Sequence, residues 1–291
     1  MSIDKLAKIN SHERDARITF DPVPHKYYVD GKGGYTSVTT FVHESFPKFN
    51  DTGNARRMAL CPDFESKYPQ YADLIKQFPD RDDLAAAIIR KWNTDRDLAA
   101  SLGTAMHAGI EMFYNDVEAQ DLPEYFITYA KRRKDDGYVP FRTEWQIYDE
   151  ESGIAGSIDM IYYRPSTGTY HMVDWKRSKR IDKRGFGNGL VPMQHLRDCN
   201  YMHYSLQLNT YKYILEKHYG IKIEDMHICV LHPDNQMELE IYDMQKDVYI
   251  LMQRAIGNKS STKDLRPETV DLATSKSMDS KPDTVDLATS K

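Results

Sequence analysis

Asp159, Asp174 and Lys176 are the residues whose types and spacing could do chemistry together. They sit in the last two of three short runs: Arg142-Thr-Glu-Trp-Gln-Ile-Tyr-Asp149, Gly156-Ser-Ile-Asp-Met-Ile-Tyr-Tyr163 and Thr169-Tyr-His-Met-Val-Asp-Trp-Lys176. Each run is rich in β-branched and aromatic residues and bounded by turn chemistry, so each is predicted as a strand. Pro165-Ser-Thr-Gly168 suits a four-residue hairpin loop. With that loop Arg164 faces Thr169, and counting back puts Asp159 opposite Asp174. Lys176, two residues past Asp174, falls on the same face. Two carboxylates across a ladder repel, and Ile158, Met160, Ile161, Met172 and Val173 around them are apolar. A bound cation removes the conflict. Mg²⁺ or Mn²⁺ takes carboxylate oxygens, and a lysine alongside suits chemistry on an anionic oxygen. The plainer alternative is a surface ion pair of Asp174 with Lys176, with Asp159 merely near a turn.

The elements around this unit carry further polar groups. A helix over about 98–115 places His107 and Glu111 one turn apart on one face, where packing or solvent contact is as open to them as ligation. A helix over 204–219 gives Gln207 and Tyr211 a shared face; taken alone, these read as an exposed amide and a packed ring. Glu144 lies on the first of the three strands, at its edge or beside the carboxylates.

Gly103-Thr-Ala-Met-His107, Gly156-Ser-Ile-Asp159, Asp174-Trp-Lys176 and Gln207-Leu-Asn-Thr-Tyr211, in this order, resemble the motifs of the PD-(D/E)XK nuclease superfamily. More narrowly they resemble its RecB-like exonuclease branch, which includes the mitochondrial genome-maintenance exonuclease and related phage and giant-virus enzymes. The likeness spans roughly 101–219 and extends to His25-Lys-Tyr-Tyr and Ser37-Val-Thr near the amino end. It implies a metal-dependent DNA exonuclease acting at DNA ends, single strands preferred, in replication, repair or recombination. It further implies that Asp159 and Asp174, with His107 and the Trp175 backbone carbonyl, hold one or two Mg²⁺ or Mn²⁺ ions, with Glu144 in reserve and Glu111 in support. Lys176 then acts on the attacking water or the phosphorane charge, and Gln207, Tyr211, Arg177, Ser178 and Lys179 position the strand. Two other readings stay open: a lambda-type duplex-end exonuclease working with an annealing partner, and a nucleic-acid-binding module without catalysis.

Composition agrees with a soluble globular protein. With 291 residues, 40% of them hydrophobic, the chain can bury one large core. No apolar run reaches membrane-spanning length, and the amino end lacks a signal or transit pattern, so an intracellular protein is expected. The three cysteines, Cys61, Cys199 and Cys229, have neither disulfide nor zinc spacing and cannot supply the four ligands of an iron-sulfur cluster. A net charge of -5 disfavours nucleic-acid binding by bulk attraction alone and calls for a local basic track. Lys131-Arg-Arg-Lys134 and Lys176-Arg-Ser-Lys-Arg180, continued by Lys183 and Arg184, are the candidates.

The expected fold is α/β: a central mixed sheet flanked by helices, like a restriction endonuclease core, with an N-terminal β-hairpin and a helical insertion. Residues 1–257 form the nuclease domain, divided into a hairpin region (1–60), a helical region (61–140) and the core (141–257). Strand-like pattern runs from Ile18 to Val42 around a Gly31-Lys-Gly-Gly34 turn. Separate helices are predicted over 83–92, capped by Asp82 or Asp83, and over 98–115; another starts at Asp121 and ends near Gly137. Segment 177–204 shows no period and reads as a functional or mobile connection. Strands over 227–232 and 237–242 and a helix over 244–256 complete the domain. In 258–291 the segment Pro267-Glu-Thr-Val-Asp-Leu-Ala-Thr-Ser-Lys276 recurs at 282–291 with Asp283 for Glu268. This polar tail is expected to be disordered, a tether or docking peptide for a replication or recombination partner.

Overall fold

A computed structural model describes residues 3–118, 122–185 and 187–264. Asp121, Phe186 and both copies of the tail repeat lie outside them. The α/β expectation holds: a mixed sheet of eight strands is flanked by helices. The helices among the described residues are α1 (Lys5–Ile9), α2 (Val38–His43), α3 (Asp51–Ala59), α4 (Phe64–Lys67), α5 (Ala72–Gln77), α6 (Arg81–Tyr114), α7 (Glu124–Asp135), α8 (Asn200–His218) and α9 (Gln245–Asp264). The strands are β1 (Ile18–Asp21), β2 (Lys26–Val29), β3 (Lys32–Ser37), β4 (Val139–Asp149), β5 (Ile154–Arg164), β6 (Thr169–Lys176), β7 (Ile223–His232) and β8 (Asn235–Glu240).

β5 is the hub. Along one edge, residues 154–158 and 160–163 pair with β4. Along the other edge, Ile154 and Ala155 pair with β3 in parallel, and 160–164 pair with β6 antiparallel. Between these two partners the edge at 156–159 has no ladder partner, so the sheet forks there. Beyond β6 come parallel β7 and antiparallel β8.

Two apolar layers hold this sheet. On one side α2, α8 and α9 pack Val38, Phe41, Leu208, Ile214, Val248 and Met252 against Ile147, Ile158, Ile161 and Met172. On the other, the end of α6 and α7 bring Ile110, Tyr114 and Phe126 onto Met160, Val173 and Trp175. Burying each such large side chain stabilises the fold by roughly 1.5–3 kcal/mol before chain entropy is subtracted.

Local departures from the sequence reading have identifiable causes. Val38-Thr-Thr-Phe-Val-His43 is helical although β-branched, because the Ser37 hydroxyl caps it by accepting from the Thr40 amide, and Val38, Phe41 and Val42 make one buried stripe. The hairpin turns at Asp30 and Gly31, both in the left-handed region (φ 50° and 72°), so Gly33 and Gly34 belong to β3. The two helices expected over 83–92 and 98–115 are one 34-residue helix, α6, about 50 Å long, and its cap is Asp80 rather than Asp82 or Asp83. α3 packs on α6 through Ala55, Ala59, Leu84 and Ile88, so the helical unit begins before residue 61. α9 runs on to Asp264, past the boundary expected at 257.

The segment after β6 is more ordered than its composition suggests. Asn188 bridges Arg197, Leu190 N–H donates to the Ser45 carbonyl, Arg254 donates to the Val191 carbonyl, and Met193 is fully buried. From residue 188 onward it is therefore a strap tied to α2 and α9. The basic cluster on α7 is also structural in part. Arg132 and Arg133 both pair with Glu238 of β8, and buried Arg133 also donates to the Tyr129 hydroxyl. Half of that cluster is thus withdrawn from any phosphate.

Candidate metal centre and active site

The predicted hairpin is present: Arg164 pairs with Thr169 and the ladder runs in step to Met160 and Val173. One pair further would be Asp159 with Asp174, and there the strands part at the fork. The Asp159 carboxylate takes over the missing connection, its Oδ2 accepting the Trp175 N–H at 2.8 Å.

Three elements close around this point. α6 brings His107, whose Nε2–H donates to the Trp175 carbonyl at 3.0 Å. That bond sets the ring so that Nδ1 faces Glu144 Oε1 at 3.3 Å and Asp159 Oδ2 at 3.7 Å. β4 brings Glu144, the residue opposite Asp159 that the ladder skips, with φ at 43°. A non-glycine residue in that region costs on the order of 1–3 kcal/mol and persists only where its surroundings fix it. Here they do. Asp15 holds both flanks of Glu144, accepting from Arg142 Nη1 at 2.7 Å and Trp145 Nε1 at 2.8 Å, and the Ser157 hydroxyl donates to Glu144 Oε2 at 3.1 Å.

One donor atom each from His107, Glu144 and Asp159 lie within 4.8 Å of one another, a cluster compatible with a divalent metal. Asp174 stands beside this trio rather than in it. Its Oδ2 meets Lys176 Nζ at 2.5 Å but, buried, receives no aligned hydrogen bond. Glu144, held in reserve in the sequence reading, is one of the three clustered residues, and the Trp175 carbonyl accepts from His107.

Burial and neighbouring charges act on each titratable group of the cluster. Burial alone would lower the His107 pKa, but Asp159 and Glu144 outweigh it and hold the imidazole up to about 9. Burial pushes Asp174 up to about 6, against the pull of Lys176 and with the push of Asp159. Asp159 is likewise raised by burial. Lys176 is kept protonated, since Asp174 and Asp159 outweigh the burial that would lower it. Glu111, half-buried one turn beyond His107, is pushed up to about 7 by burial and by Glu144. Carboxylates with one imidazole are a donor set for Mg²⁺ or Mn²⁺, and the Asp174 carboxylate beside them is ion-paired with Lys176.

α8 closes the fork from the other face. Gln207 Nε2 donates to the Tyr211 hydroxyl at 3.2 Å, and Tyr211 rests on Gly156, where an added Cβ would stand 2.6 Å from its ring. Tyr204, which sequence reasoning misses, stacks its ring 4.8 Å from Lys176 Nζ. A signal for it exists: it sits one turn before Gln207 on the same helix face. Ser157 is missed as well, though two residues before Asp159 it must share that residue's side of the strand. At the exit of β6, the Ser178 hydroxyl makes an exposed local bond, donating to the Arg180 carbonyl at 2.9 Å. Arg177 is half-buried and Lys179 exposed, and neither forms an ion pair among the described residues.

No family model matches the chain, and no curated protein does. Among solved structures, SSO0001 is similar at 15% identity with a TM-score of 0.33, covering 92% of this chain and 94% of its own. A protein named "Putative exonuclease" from Eubacterium rectale is similar at 14% identity and a TM-score of 0.31, covering 82% and 91%. Likeness this weak decides neither family nor activity. Among the described residues no helix is long and apolar enough to cross a membrane.

Proposed function

We propose that the protein is a divalent-cation-dependent deoxyribonuclease that removes nucleotides from DNA ends, single strands preferred. One observation carries the reading: His107, Glu144 and Asp159 converge within 4.8 Å at the fork, next to the ion pair of buried Asp174 with Lys176. Asp159, Glu144 and His107 Nδ1 would hold the ion, with the Asp174 carboxylate, paired to Lys176, alongside. When bound, Mg²⁺ or Mn²⁺ supplies Lewis-acid polarisation of the scissile phosphate. Lys176, protonated and fixed on a strand between Asp174 and the Tyr204 ring, donates to the phosphoryl oxygen on which charge develops, or orients the attacking water. Gln207 and Tyr211 brace the fork from α8. Arg177 and Lys179, uncommitted at the end of β6, take backbone phosphates. Action at ends and the single-strand preference rest on the resemblance of the four sequence motifs.

The test is the time course of products from oligonucleotides labelled at either end, single-stranded or blunt duplex, with Mg²⁺, Mn²⁺ or a chelator. Stepwise shortening of the single strand that needs a divalent ion is expected. Absence of product with every divalent ion, despite metal-independent binding, would instead identify a non-catalytic binding module; rapid attack confined to duplex ends would identify the lambda-type enzyme.

A further inference from the structure

Aromatic contacts occur in the link after α2 and beside Lys176. Tyr204 lies over its ammonium at 4.8 Å, and the neighbouring His203 ring stacks on Phe46 with centroids 4.0 Å apart. Three residues beyond Phe46, in the link between α2 and α3, Phe49 stands 71% exposed with its ring 5.6 Å from Trp92 and inclined at 63°. Trp92 is itself fixed, its indole N–H donating to the Tyr71 hydroxyl at 2.7 Å. Lys48 beside Phe49 is exposed and makes no ion pair among the described residues.

Trp92 and His107 are on the same helix. Fifteen residues of α6 separate them, about 22 Å at 1.5 Å per residue. Along 93–105 that helix is exposed on nearly every side, with no packed partner among the described residues between the α3–α6 core and the fork. The aromatic pair and the metal cluster therefore stand at the two ends of one open helical span. Its length matches about six nucleotides of a stacked strand at ~3.4 Å each.

We infer that Phe49, backed by Trp92 and flanked by Lys48, is a stacking step for an unpaired nucleobase of a strand whose end lies at the fork. This deepens the nuclease reading and rests on it. A ring held edge-on by a fixed indole loses little freedom on binding, and every base offers a π-face, so the contact is indifferent to sequence. Lys48 supplies a charge for the adjoining phosphate.

Of the three tryptophans, Trp145 and Trp175 are about 1% exposed, so Trp92 is the one a base can approach. The experiment adds oligothymidylate of about twelve nucleotides, within the range of single-strand site sizes, to the full chain with divalent ions chelated. Tryptophan emission is recorded alongside the anisotropy of a labelled copy. Expected are quenching that disappears in Trp92→Phe, and an affinity at least about fivefold weaker in Phe49→Ala, the lower end of what one lost stack costs, restored in Phe49→Tyr. Binding and cleavage that persist unchanged in Phe49→Ala, without quenching in the parent, would overturn the step and leave the nuclease reading standing. An oligonucleotide neither bound nor cleaved with Mg²⁺ or Mn²⁺ would remove both.

Discussion

Asp159 Oδ2 accepts the Trp175 amide at 2.8 Å, in the place where a ladder bond would otherwise join β5 to β6. A carboxylate thus ends the pairing of two core strands, and the opening it creates admits His107 from one face and Tyr204 and Tyr211 from the other. The catalytic arrangement proposed for this protein depends on that interruption of the sheet.

The cluster should make the metal-free protein sensitive to alkali. The folded His107 pKa, about 9, lies above the ordinary 6.5. Its contribution is therefore fully present below about pH 6.5 and lost as pH rises through 9. Thermal unfolding in chelator should show stability falling over that window by on the order of 2 kcal/mol more in the parent than in His107→Gln. Parallel pH curves for the two would show that the imidazole carries no such charge.

In the proposed function Lys176 is a donor to the reacting phosphate and not a ligand. Lys176→Ala should lower kcat by at least about a hundredfold while leaving Mn²⁺ affinity near that of the parent. Tyr204→Phe, which keeps the ring face over the ammonium, should retain activity. Tyr204→Leu should lower kcat with little change in KM, because it loosens the lysine without touching the strand.

Gly156 is needed for closeness, since a Cβ there would stand 2.6 Å from the Tyr211 ring and 3.1 Å from Val38. Gly156→Ala should destabilise by about 1–3 kcal/mol, as overpacking does. Adding Tyr211→Leu should recover part of the loss of Tm. Independent, additive effects of the two changes would contradict the contact.

Arg133 separates a structural from a phosphate-binding role for the α7 cluster. It is buried, donates to the Tyr129 hydroxyl and shares Glu238 with Arg132, so Arg133→Ala should cost about 1–3 kcal/mol, the carboxylate keeping one arginine. The slope of DNA affinity against salt should not change. A stable Arg133→Ala protein with a flatter slope would assign the arginine to DNA instead.

Much of the sheet is legible from the sequence because a four-residue loop fixes register. Once Arg164 faces Thr169, the positions of Asp159, Asp174 and Lys176 follow from a period of two. The same argument cannot see that the ladder stops one pair short. That depends on β3 and β6 sharing one edge of β5, a long-range pairing with no local signature. Glu144 is underweighted for a related reason: its inward aim comes from a left-handed backbone held by Asp15, far away in sequence. Val38–His43 reads as strand because β-branched residues favour it, and tertiary burial of one helical stripe outweighs that preference. α6 reads as two helices because its middle span, 93–105, lacks the apolar stripe by which a helix is recognised.

The central claim is tested most directly by the rate at which Asp159→Asn, folded as judged by its thermal transition, releases nucleotides from an end-labelled single strand with Mn²⁺. Asparagine can still accept the Trp175 amide but brings no charge to the cation, so a loss of at least about a hundredfold is expected. A rate within a few-fold of the parent would contradict the account.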